Sequence, residues 1–460
     1  MFNLRSLIAG LREKHDFKTL LFHSSWSLTL TSGLSYFLGF IRDRIFAQTY
    51  GLSRTMDIYN AAFVIPENLL SILIGTMLSA AFLPIFTQKY DQNKALGYRY
   101  VHQIMSWGLL TVSIIAIGIA ITLPFFAHRM VPGFEPEAVK EYILLTRILL
   151  LSPLLFTLSN IYGKVLISFH EFLWYGLSPA LYNVGIIFGA LVLAPKLGNV
   201  GLMCGVLSGI LLHLLARLIN LKRKKHEFTH GFDLTLSPEI KETIKLTAPK
   251  ILQYGMAALL LSQFTSITST LGEGAIAAYN YARNFQSIPV SLLGIAISLA
   301  LYPTLSHDAG KGNFEKFKND FKRGRMKSIV YTTLAALLLA LLSKQLVGLL
   351  LGGGKFGESE IMLVATVLQV YTISVPFESL LHTYHRAYYS LRNTLVPSLL
   401  HAVIILGTII LAKILTPTVG VYAIPISFAS GLIVQIFLLS LIFPFVLKQR
   451  ENAHAQSQIQ

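Results

Sequence analysis

The chain has 460 residues, of which 53% are hydrophobic and 13% are charged, and its mean hydropathy is +0.60. Soluble domains average about 25% charged residues, so the composition excludes a soluble globular protein. The apolar runs of about 20 residues are typical of membrane-spanning helices and not of outer-membrane barrels. The net charge of +16 is spread over several loops and forms no single basic face, which argues against nucleic-acid binding.

The sequence predicts an all-α, polytopic membrane protein with about twelve transmembrane helices. The first two spans carry Pro66 and several ionisable residues, and proline can kink a helix. The predicted spans are 24–46, 57–88, 104–127, 141–169, 174–194, 200–220, 243–270, 277–305, 328–351, 360–389, 396–415 and 420–447.

Both halves of the chain carry the same motif. G-x3-S-x-A-x2-P begins at Gly75 and again at Gly294, and the pair Tyr-Asn at Tyr59 recurs at Tyr279. This duplication predicts two parallel-repeat six-helix lobes around a central cavity. The predicted boundaries are a cytoplasmic N-terminal segment 1–23, a lobe 24–220, a basic cytoplasmic linker 221–242, a lobe 243–447 and a cytoplasmic tail 448–460.

Basic residues predict the orientation of the chain. The loops 89–103, 221–242 and 306–327 hold most of the loop Lys and Arg residues, whereas the intervening loops, such as 195–199 and 352–359, hold one Lys or none. The positive-inside rule places the basic loops and both termini in the cytoplasm.

Arg42 and Asp43 end the first span. They can form an interfacial anchor with a local ion pair, or Arg42 can face a polar cavity. Arg283 lies inside an otherwise apolar span of the second half. The guanidinium fork matches phosphate and carboxylate groups with two parallel hydrogen bonds. One arginine from each half would therefore suit an anionic headgroup such as a pyrophosphate.

Acidic residues in the second span are further candidates for this site. Glu67 lies mid-span, where a charge normally faces a partner or a wet cavity. Asp57 opens the span and can instead act as a helix N-cap or first-turn acid. Lys164 and the pair Glu378 and His382, four residues apart, are also inside spans. A satisfied structural histidine is the more common outcome for such a residue.

No set of His, Cys, Asp and Glu residues has metal-site spacing, and no nucleophile–base set or ATP motif is present. Cys204 is the single cysteine, so the chain cannot form an internal disulfide. The sequence therefore predicts no enzyme activity and no bound cofactor.

Five segments of the chain resemble the MurJ/MviN family of lipid II flippases, within the multidrug/oligosaccharidyl-lipid/polysaccharide exporter superfamily. The resemblance runs in order through nearly the whole chain. It is carried by LGFIRD at 38–43, MDIYNAAFVIPENLL at 56–70, SAAFLPIFTQKY at 79–90, YNYARNFQSIPVSLLGIAISLALYPTLS at 279–306 and YYSLRNTLVPSLL at 388–400.

The resemblance implies a multi-pass flippase of the bacterial cytoplasmic (inner) membrane that serves cell-wall biogenesis. Its substrate would be the undecaprenyl-pyrophosphate-linked peptidoglycan precursor, carried to the outer leaflet by alternating access. Arg42, Asp57 and Arg283 match cavity positions of the family. The implied partners are this precursor and membrane lipids, with cell-wall synthesis proteins as further candidates and no nucleic acid. Membrane potential, sodium and protons stay open as the driving force.

The chain also departs from the family pattern. Tyr36 stands where the family has an arginine, and the family's arginine in the second helix falls near Ser71 or Ile72. The family commonly has fourteen helices, the last two forming a groove for the lipid tail. Two other functions stay open: a cation-coupled antiporter of amphipathic drugs, which would favour acids such as Glu67 and Glu378, and a non-transporting membrane scaffold. A flippase for another lipid-linked oligosaccharide is a close variant of the leading hypothesis.

Overall fold

The computed structural model describes residues 30–223 and 231–459, which fold almost entirely into helices. Strands are absent from these two ranges, and an isolated bridge joins Gly353 to Phe356. The predicted all-α fold class is confirmed. The predicted N-terminal segment 1–23 lies outside the described residues.

Helices of the N-terminal half follow one another with short connections. After α1 at 30–50 come α2 Arg54–Leu70, α3 Leu83–Gln92, α4 Lys94–Met130, α5 Pro136–Leu149, α6 Ser152–Ser168, α7 Phe172–Phe188, α8 Ala194–Leu197 and α9 Asn199–Arg223.

The C-terminal half is built in the same way. Its helices are α10 Pro238–Ser269, α11 Ala275–Pro289, α12 Ala296–Gly310, α13 Phe314–Leu341, α14 Ser343–Leu351, α15 Glu358–Thr372, α16 Ser374–Ser390, α17 Leu395–Val419 and α18 Ala423–Ile459.

Eight helices in the described ranges are long and apolar enough to cross a membrane, or nine if the bent pair α15 and α16 counts as one span. One of the eight, Leu395–Gln456, combines α17 with most of α18. The described part of each of the twelve predicted spans, which for the first span is 30–46, falls on a helix or on a run of helices. The chain is a multi-pass membrane protein.

Two of the predicted basic loops are much shorter than expected. Helices run through most of 89–103 and 306–327, so only Asn93 and residues 311–313 lie outside a helix there. The Lys and Arg residues extend the helices beyond their apolar parts, since straight-chain basic residues are good helix formers. The basic character of these segments was predicted correctly, but their loop structure was wrong.

Helix boundaries differ from the prediction at two other places. The predicted span 328–351 is broken at Leu342, between α13 and α14. Helix α18 continues to Ile459, so the predicted tail 448–460 begins as an extension of the last helix. The tail is polar, so hydropathy alone did not predict that the last helix continues through it.

Both copies of the sequence repeat contain a π-helical turn. Gly75 ends the π-helical turn Ser71–Gly75, and Gly294 lies within the turn Val290–Ile295. Pro84 and Pro303 follow these glycines at the same spacing. A π turn inserts an extra residue into the helix and distorts it locally. Both copies of the motif are therefore distorted, and the first contains a second π-helical turn, Leu78–Phe82.

Contacts divide the chain into two compact units. Unit 1 contains the described residues up to Phe46 together with Ile65–Pro124 and Ile143–Ile251, and unit 2 contains Ala47–Val64, Phe125–Tyr142 and the chain from Leu252 onward. Two segments of the N-terminal half thus belong to the unit that holds most of the C-terminal half. The predicted lobes, 24–220 and 243–447, stay a prediction.

Aromatic residues form the core of each unit. In unit 1 the rings of Phe82 and Phe86 stack at 5.7 Å, and Tyr100 packs beside them. In unit 2 the ring of Phe443 contacts those of Phe321 and Tyr388 at 4.7 Å and 5.3 Å. These large buried rings dominate core packing.

Glycine allows α7 and α9 to approach closely within unit 1. A Cβ atom on Gly189 would lie 2.5 Å from the Cα atom of Gly205, and Gly185 meets Gly209 in the same way. Small residues at a helix crossing bring membrane helices into backbone contact. The close crossing fixes α7 against α9 and so sets the positions of their polar side chains.

Residues 231–237, the non-helical part of the predicted linker 221–242 that the structure describes, contact α4. Asp233 accepts hydrogen bonds from Arg99 Nε at 3.1 Å and Gln103 Nε2 at 3.0 Å, and its backbone N–H donates to Ser106 Oγ at 2.9 Å. Hydrogen bonds from Thr235, followed by those from Arg99 and Gln103, lower the pKa of the Asp233 carboxyl group. The linker is therefore docked when the Asp233 carboxyl group is ionised.

Acid should release this linker. A carboxyl group whose pKa is lowered in the folded state stabilises that state above its ordinary pKa of 3.8 and loses this contribution as the pH falls through the folded value. A nitroxide on Leu236→Cys, in a Cys204→Ala background, should stay immobilised from pH 7 down to about pH 4 and become mobile only at pH values well below 3.8, as the pH falls towards the lowered pKa of Asp233. Asp233→Asn should mobilise it at pH 7, and the exposed control Asp91→Asn should not. An equally immobile label in Asp233→Asn would contradict this docking.

Candidate functional site

Arg42 on α1 is held by polar partners within unit 1. Its Nε and Nη2 donate to Asp43 Oδ1 at 2.9 Å and 2.8 Å, and its Nη1 donates to Asn183 Oδ1 at 3.1 Å. The Asn183 amide donates in turn to the carbonyl oxygens of Ser35 and Pro179 at 3.2 Å. The Arg42 side chain is still 25% exposed, so the guanidinium keeps a face that a ligand can reach.

Glu67 on α2 lies near this arginine. It is exposed on the surface of unit 1, and both its charge and that of Arg42 act on the hydroxyl group of Tyr182. Pro66, which precedes Glu67, is buried. Unit 1 therefore presents Arg42, Asp43, Glu67 and Tyr182 in one neighbourhood, with both signs of charge.

A second polar group occurs in unit 2 around Arg283 on α11. Gln286 Nε2 donates to Glu378 Oε2 at 2.8 Å and to Ser374 Oγ at 3.0 Å. Arg283 is half-buried, and its charge acts on both Glu378 and Tyr371. An arginine opposite a glutamate that is itself hydrogen-bonded can exchange partners when an anion binds.

Asp57 has a different environment, in unit 2. Its side chain is 0% exposed. Its Oδ2 accepts from the backbone N–H of Gly274 at 2.7 Å, and its Oδ1 accepts from that of Ala277 at 3.0 Å. These groups belong to the start of α11, where backbone donors have no partner inside the helix and the helix dipole favours an anion. Asp57 thus caps a helix from a distant part of the chain.

Gly274 is required for this arrangement. It adopts φ 81°, the left-handed conformation, and a Cβ atom there would lie 2.6 Å from the carbonyl oxygen of Leu52. Glycine takes this conformation without steric cost and allows close backbone approach. The turn between α1 and α2 can therefore lie directly against the start of α11.

Arg54 strengthens the same contact. Its backbone N–H donates to Glu273 Oε1 at 2.8 Å, and its guanidinium lies 3.6 Å from Asp57 Oδ2 and 3.4 Å from Glu135 Oε1. The guanidinium also lies over the ring of Phe134, 4.9 Å from the ring centroid. We call Arg54, Asp57 and the Glu273–Ala277 segment the clasp.

Gln48 adds a further connection beside the clasp. Its backbone carbonyl accepts from the Lys355 N–H at 2.8 Å, and its side-chain Nε2 donates to the Gly352 carbonyl at 2.7 Å. Residues 48–57 thus bond to two turns of the C-terminal half inside unit 2. This explains why the segment 47–64 belongs to unit 2.

The five predicted site residues therefore fall into three neighbourhoods. The structure brings Arg42 and Asp43 together with Glu67 in unit 1, and it places Arg283 and Asp57 in separate neighbourhoods of unit 2. Sequence reasoning missed Asn183 and Gln286, which hold Arg42 and Glu378. Both are amides inside apolar helices, and a buried amide needs hydrogen-bond partners, so their isolation in the sequence was a usable signal.

No group of three or more His, Cys, Asp or Glu residues that could hold a metal ion occurs among the described residues. The prediction that membrane potential, sodium or protons drive the protein stays open.

Comparison with known proteins identifies the family. The sequence profile of the family described as lipid II flippase MurJ matches residues 46–459. The chain belongs to this family. The probable lipid II flippase MurJ of Bdellovibrio bacteriovorus is 28% identical over 445 residues, covering 94% of this chain and 83% of the relative. The lipid II flippase MurJ of Burkholderia cenocepacia is 25% identical over 435 residues, covering 92% and 83%.

Solved structures share the fold. The chain matches a structure of lipid II flippase MurJ in an inward closed conformation with a TM-score of 0.77 and 21% identity, covering 92% of this chain and 89% of that one. It also matches an inward-facing multidrug resistance MATE family transporter of the MOP superfamily with a TM-score of 0.74 and 15% identity, covering 92% and 95%. The flippase family and the fold expected from the sequence are confirmed.

Removing the Asp57 carboxylate should destabilise unit 2. Asp57→Ala leaves two buried N–H groups without a partner, which costs about 1–3 kcal/mol, and Asp57→Asn should cost less because one acceptor remains. The apparent melting temperature of the purified protein measures the effect. Glu135→Ala is the matched control, since Glu135 also contacts Arg54 but is 65% exposed. If Asp57→Ala and Glu135→Ala melt at the same temperature, Asp57 does not cap α11 in solution.

Proposed function

We propose that this chain moves the lipid-linked peptidoglycan precursor, lipid II, from the inner to the outer leaflet of the bacterial cytoplasmic membrane. The observation that carries the proposal is the match of the lipid II flippase MurJ profile over residues 46–459. Relatives named as lipid II flippases that align over 92–94% of the chain support it. The protein is a transporter and not an enzyme.

Recognition of the substrate, in this proposal, uses the pyrophosphate. Arg42 and Arg283 each carry a guanidinium fork that matches the oxygens of a phosphate group. Arg42 is held by Asp43 and Asn183, so it is already oriented when a ligand arrives. A pyrophosphate competes with Asp43 for the same N–H groups, and charge-assisted hydrogen bonds to phosphate are among the strongest available to a protein.

Glu67 and Glu378 serve this exchange by keeping the surroundings of Arg42 and of Arg283, respectively, close to neutral before the substrate binds. A guanidinium left without a partner in an apolar region is unfavourable. When the pyrophosphate takes over the arginine, the carboxylate it displaces stays near the exposed surface or keeps another hydrogen bond, as Glu378 does with Gln286. Each arginine can therefore release the headgroup again and return to its polar partners.

Asp57 has a conformational role in the proposal and does not contact the headgroup in the clasped state. The clasp ties the turn between α1 and α2 to the start of α11. Alternating access requires such ties to form in one state and break in the other. Breaking the clasp exposes the Asp57 carboxylate and the two backbone N–H groups that donate to it. Water can then hydrate the carboxylate and both N–H groups.

Replacing Arg42 or Arg283 should abolish transport although the protein still folds and inserts into the membrane. Arg42→Ala or Arg283→Ala should abolish rescue of a strain depleted of its own lipid II flippase, at matched membrane abundance. Lysine at either position should restore part of the rescue, because an ammonium is a point charge and cannot form the fork. Arg44→Ala is the matched control, since Arg44 is exposed on the same helix. Normal growth of both alanine variants would contradict the proposed site.

Orientation completes the proposal, with both termini and the basic segments in the cytoplasm. In a Cys204→Ala background, cysteines at Asn93 and Lys311 should resist an impermeant thiol reagent in intact cells, and a cysteine at Lys196 should react. All three positions are exposed on the protein surface, so burial does not explain protection. Labelling at Asn93 and Lys311 with protection at Lys196 would invert the topology.

A cation-coupled antiporter of amphipathic drugs is the second candidate. The MATE-like fold and the acids Glu67 and Glu378 favour it, but a likeness at 15% identity supports the fold alone. A drug cation would bind the carboxylates and be repelled by Arg42 and Arg283. Drug resistance conferred by the chain, with no rescue of flippase depletion, would favour this candidate over lipid II.

A further inference from the structure

Two basic side chains occur on packed apolar helices of unit 1. Arg217 on α9 is 4% exposed, and Lys164 on α6 is half-buried. Lys164 follows Gly163, and a Cβ atom on Gly163 would lie 2.6 Å from Arg217 Nη1, so the two basic residues belong to one region of the α6–α9 contact. Two like charges in an apolar region repel each other and are both poorly hydrated, so the pair is unfavourable unless something of opposite charge binds there.

Neighbouring residues of α6 and α7 hold the Arg217 guanidinium in one orientation, in a position that we call the slot. Its Nε donates to Ser178 Oγ at 3.0 Å, and its Nη1 donates to the Ser159 carbonyl at 2.7 Å and to Asn160 Oδ1 at 3.2 Å. Its guanidinium lies over the ring of Tyr175, 4.8 Å from the centroid. These partners orient the fork, but all of them are neutral, so they leave the charge uncompensated.

Gly163 makes room for this guanidinium. A Cβ atom at Gly163 would lie 2.6 Å from Arg217 Nη1 and 2.8 Å from its Cζ. The remaining donor group, Nη2, and the Lys164 ammonium form no hydrogen bond with any described residue, and no described carboxylate forms an ion pair with Arg217 or Lys164. Arg217 Nη2 and the Lys164 ammonium are therefore the donors that remain for a ligand.

Both residues lie towards the same end of their helices. Lys164 precedes the end of α6 at Ser168, and Arg217 precedes the end of α9 at Arg223. With a rise of 1.5 Å per residue, Arg217 lies roughly 9 Å from the end of its helix. That depth is close to the boundary between lipid headgroups and acyl chains. The predicted basic linker leaves from the same end of α9, so this end is the predicted cytoplasmic one.

We propose that Lys164 and Arg217 bind the phosphate group of an anionic lipid in the inner leaflet. A phosphate accepts from the guanidinium fork and from a lysine as a point charge, and the long lysine side chain can reach the headgroup level. The phosphate can come from an ordinary anionic phospholipid or from a polyprenyl diphosphate carrier. This site is separate from Arg42 and Arg283, and the proposal does not depend on lipid II transport.

The test measures lipid binding by the full-length protein in nanodiscs of neutral phosphatidylcholine. The probes are a fluorescent phosphatidylglycerol, undecaprenyl diphosphate as a competitor, and inorganic phosphate as a headgroup without a lipid tail. The variants are Lys164→Gln, Arg217→Gln and Arg217→Lys. Lys222→Gln is the matched control, because Lys222 is an exposed cation at the same end of α9.

Lys164→Gln and Arg217→Gln should each weaken phosphatidylglycerol binding about tenfold, the effect of losing one charge-assisted contact. Arg217→Lys should recover part of the affinity, and Lys222→Gln should bind as the unaltered chain does. Lys164 is half-buried and holds no other group, so Lys164→Gln tests the site even if an Arg217 variant fails to fold.

Competition identifies the lipid. Displacement of phosphatidylglycerol by equimolar undecaprenyl diphosphate, lost in Lys164→Gln, supports a carrier-lipid site, and failure to displace it supports a phospholipid site. Inorganic phosphate should compete weakly or not at all. Equal phosphatidylglycerol binding by Lys164→Gln, Lys222→Gln and the unaltered chain would overturn the proposal and leave Arg217 as a contact between α6, α7 and α9.

Discussion

A charge inside an apolar helix must be held by other groups, and the polar contacts of this chain follow from that constraint. Asp43 and Asn183 hold Arg42, and Gln286 holds Glu378. The start of α11 holds Asp57 through two backbone N–H groups. Asp43 lies on the same helix as Arg42, whereas Asn183, Gln286 and the start of α11 hold a charge on a different helix. These last three contacts therefore also help to fix which helices pack together.

The same constraint explains how one chain can bind an anion and release it. A guanidinium with a carboxylate partner costs little to keep in the membrane, and a phosphate replaces that partner with contacts of the same kind. Binding is then an exchange of partners and does not bury a new charge. The clasp at Asp57 works by a related exchange, since water can hydrate both the carboxylate and the helix start when they separate.

Much of the fold could be predicted from the sequence, because the apolar runs that cross a membrane are long and separate. The motif repeated at Gly75 and Gly294 was visible in the sequence, but the π-helical turns at Ser71–Gly75 and Val290–Ile295 were not predicted. The basic segments were predicted as loops because their charge lowers the hydropathy, although Lys and Arg residues favour helices. The clasp could not be predicted from the sequence, because it joins Asp57 to Gly274 across 217 residues of the chain. Only the packing of the helices brings these two residues together.

The sequence predicted which residue types form the site better than it predicted which of them lie close together. Arg42 and Asp43 are adjacent in sequence, so their pairing follows from local geometry. Asn183 could have been selected as a lone amide in an apolar span, but its choice of Arg42 depends on how α7 packs against α1. Arg217 was missed because it lies near the end of a helix that carries further basic residues, where an interfacial role is the simpler interpretation.

The most direct measurement is the amount of lipid II exposed on the outer surface of cells that depend on this chain as their flippase. An externally added enzyme that cleaves the lipid II headgroup reports this amount, because it cannot reach lipid II in the inner leaflet. Our account predicts cleavage when the chain is present and loss of cleavage with Arg42→Ala, at equal protein abundance. Lipid II that stays protected in cells containing the unaltered chain in their membrane would contradict it.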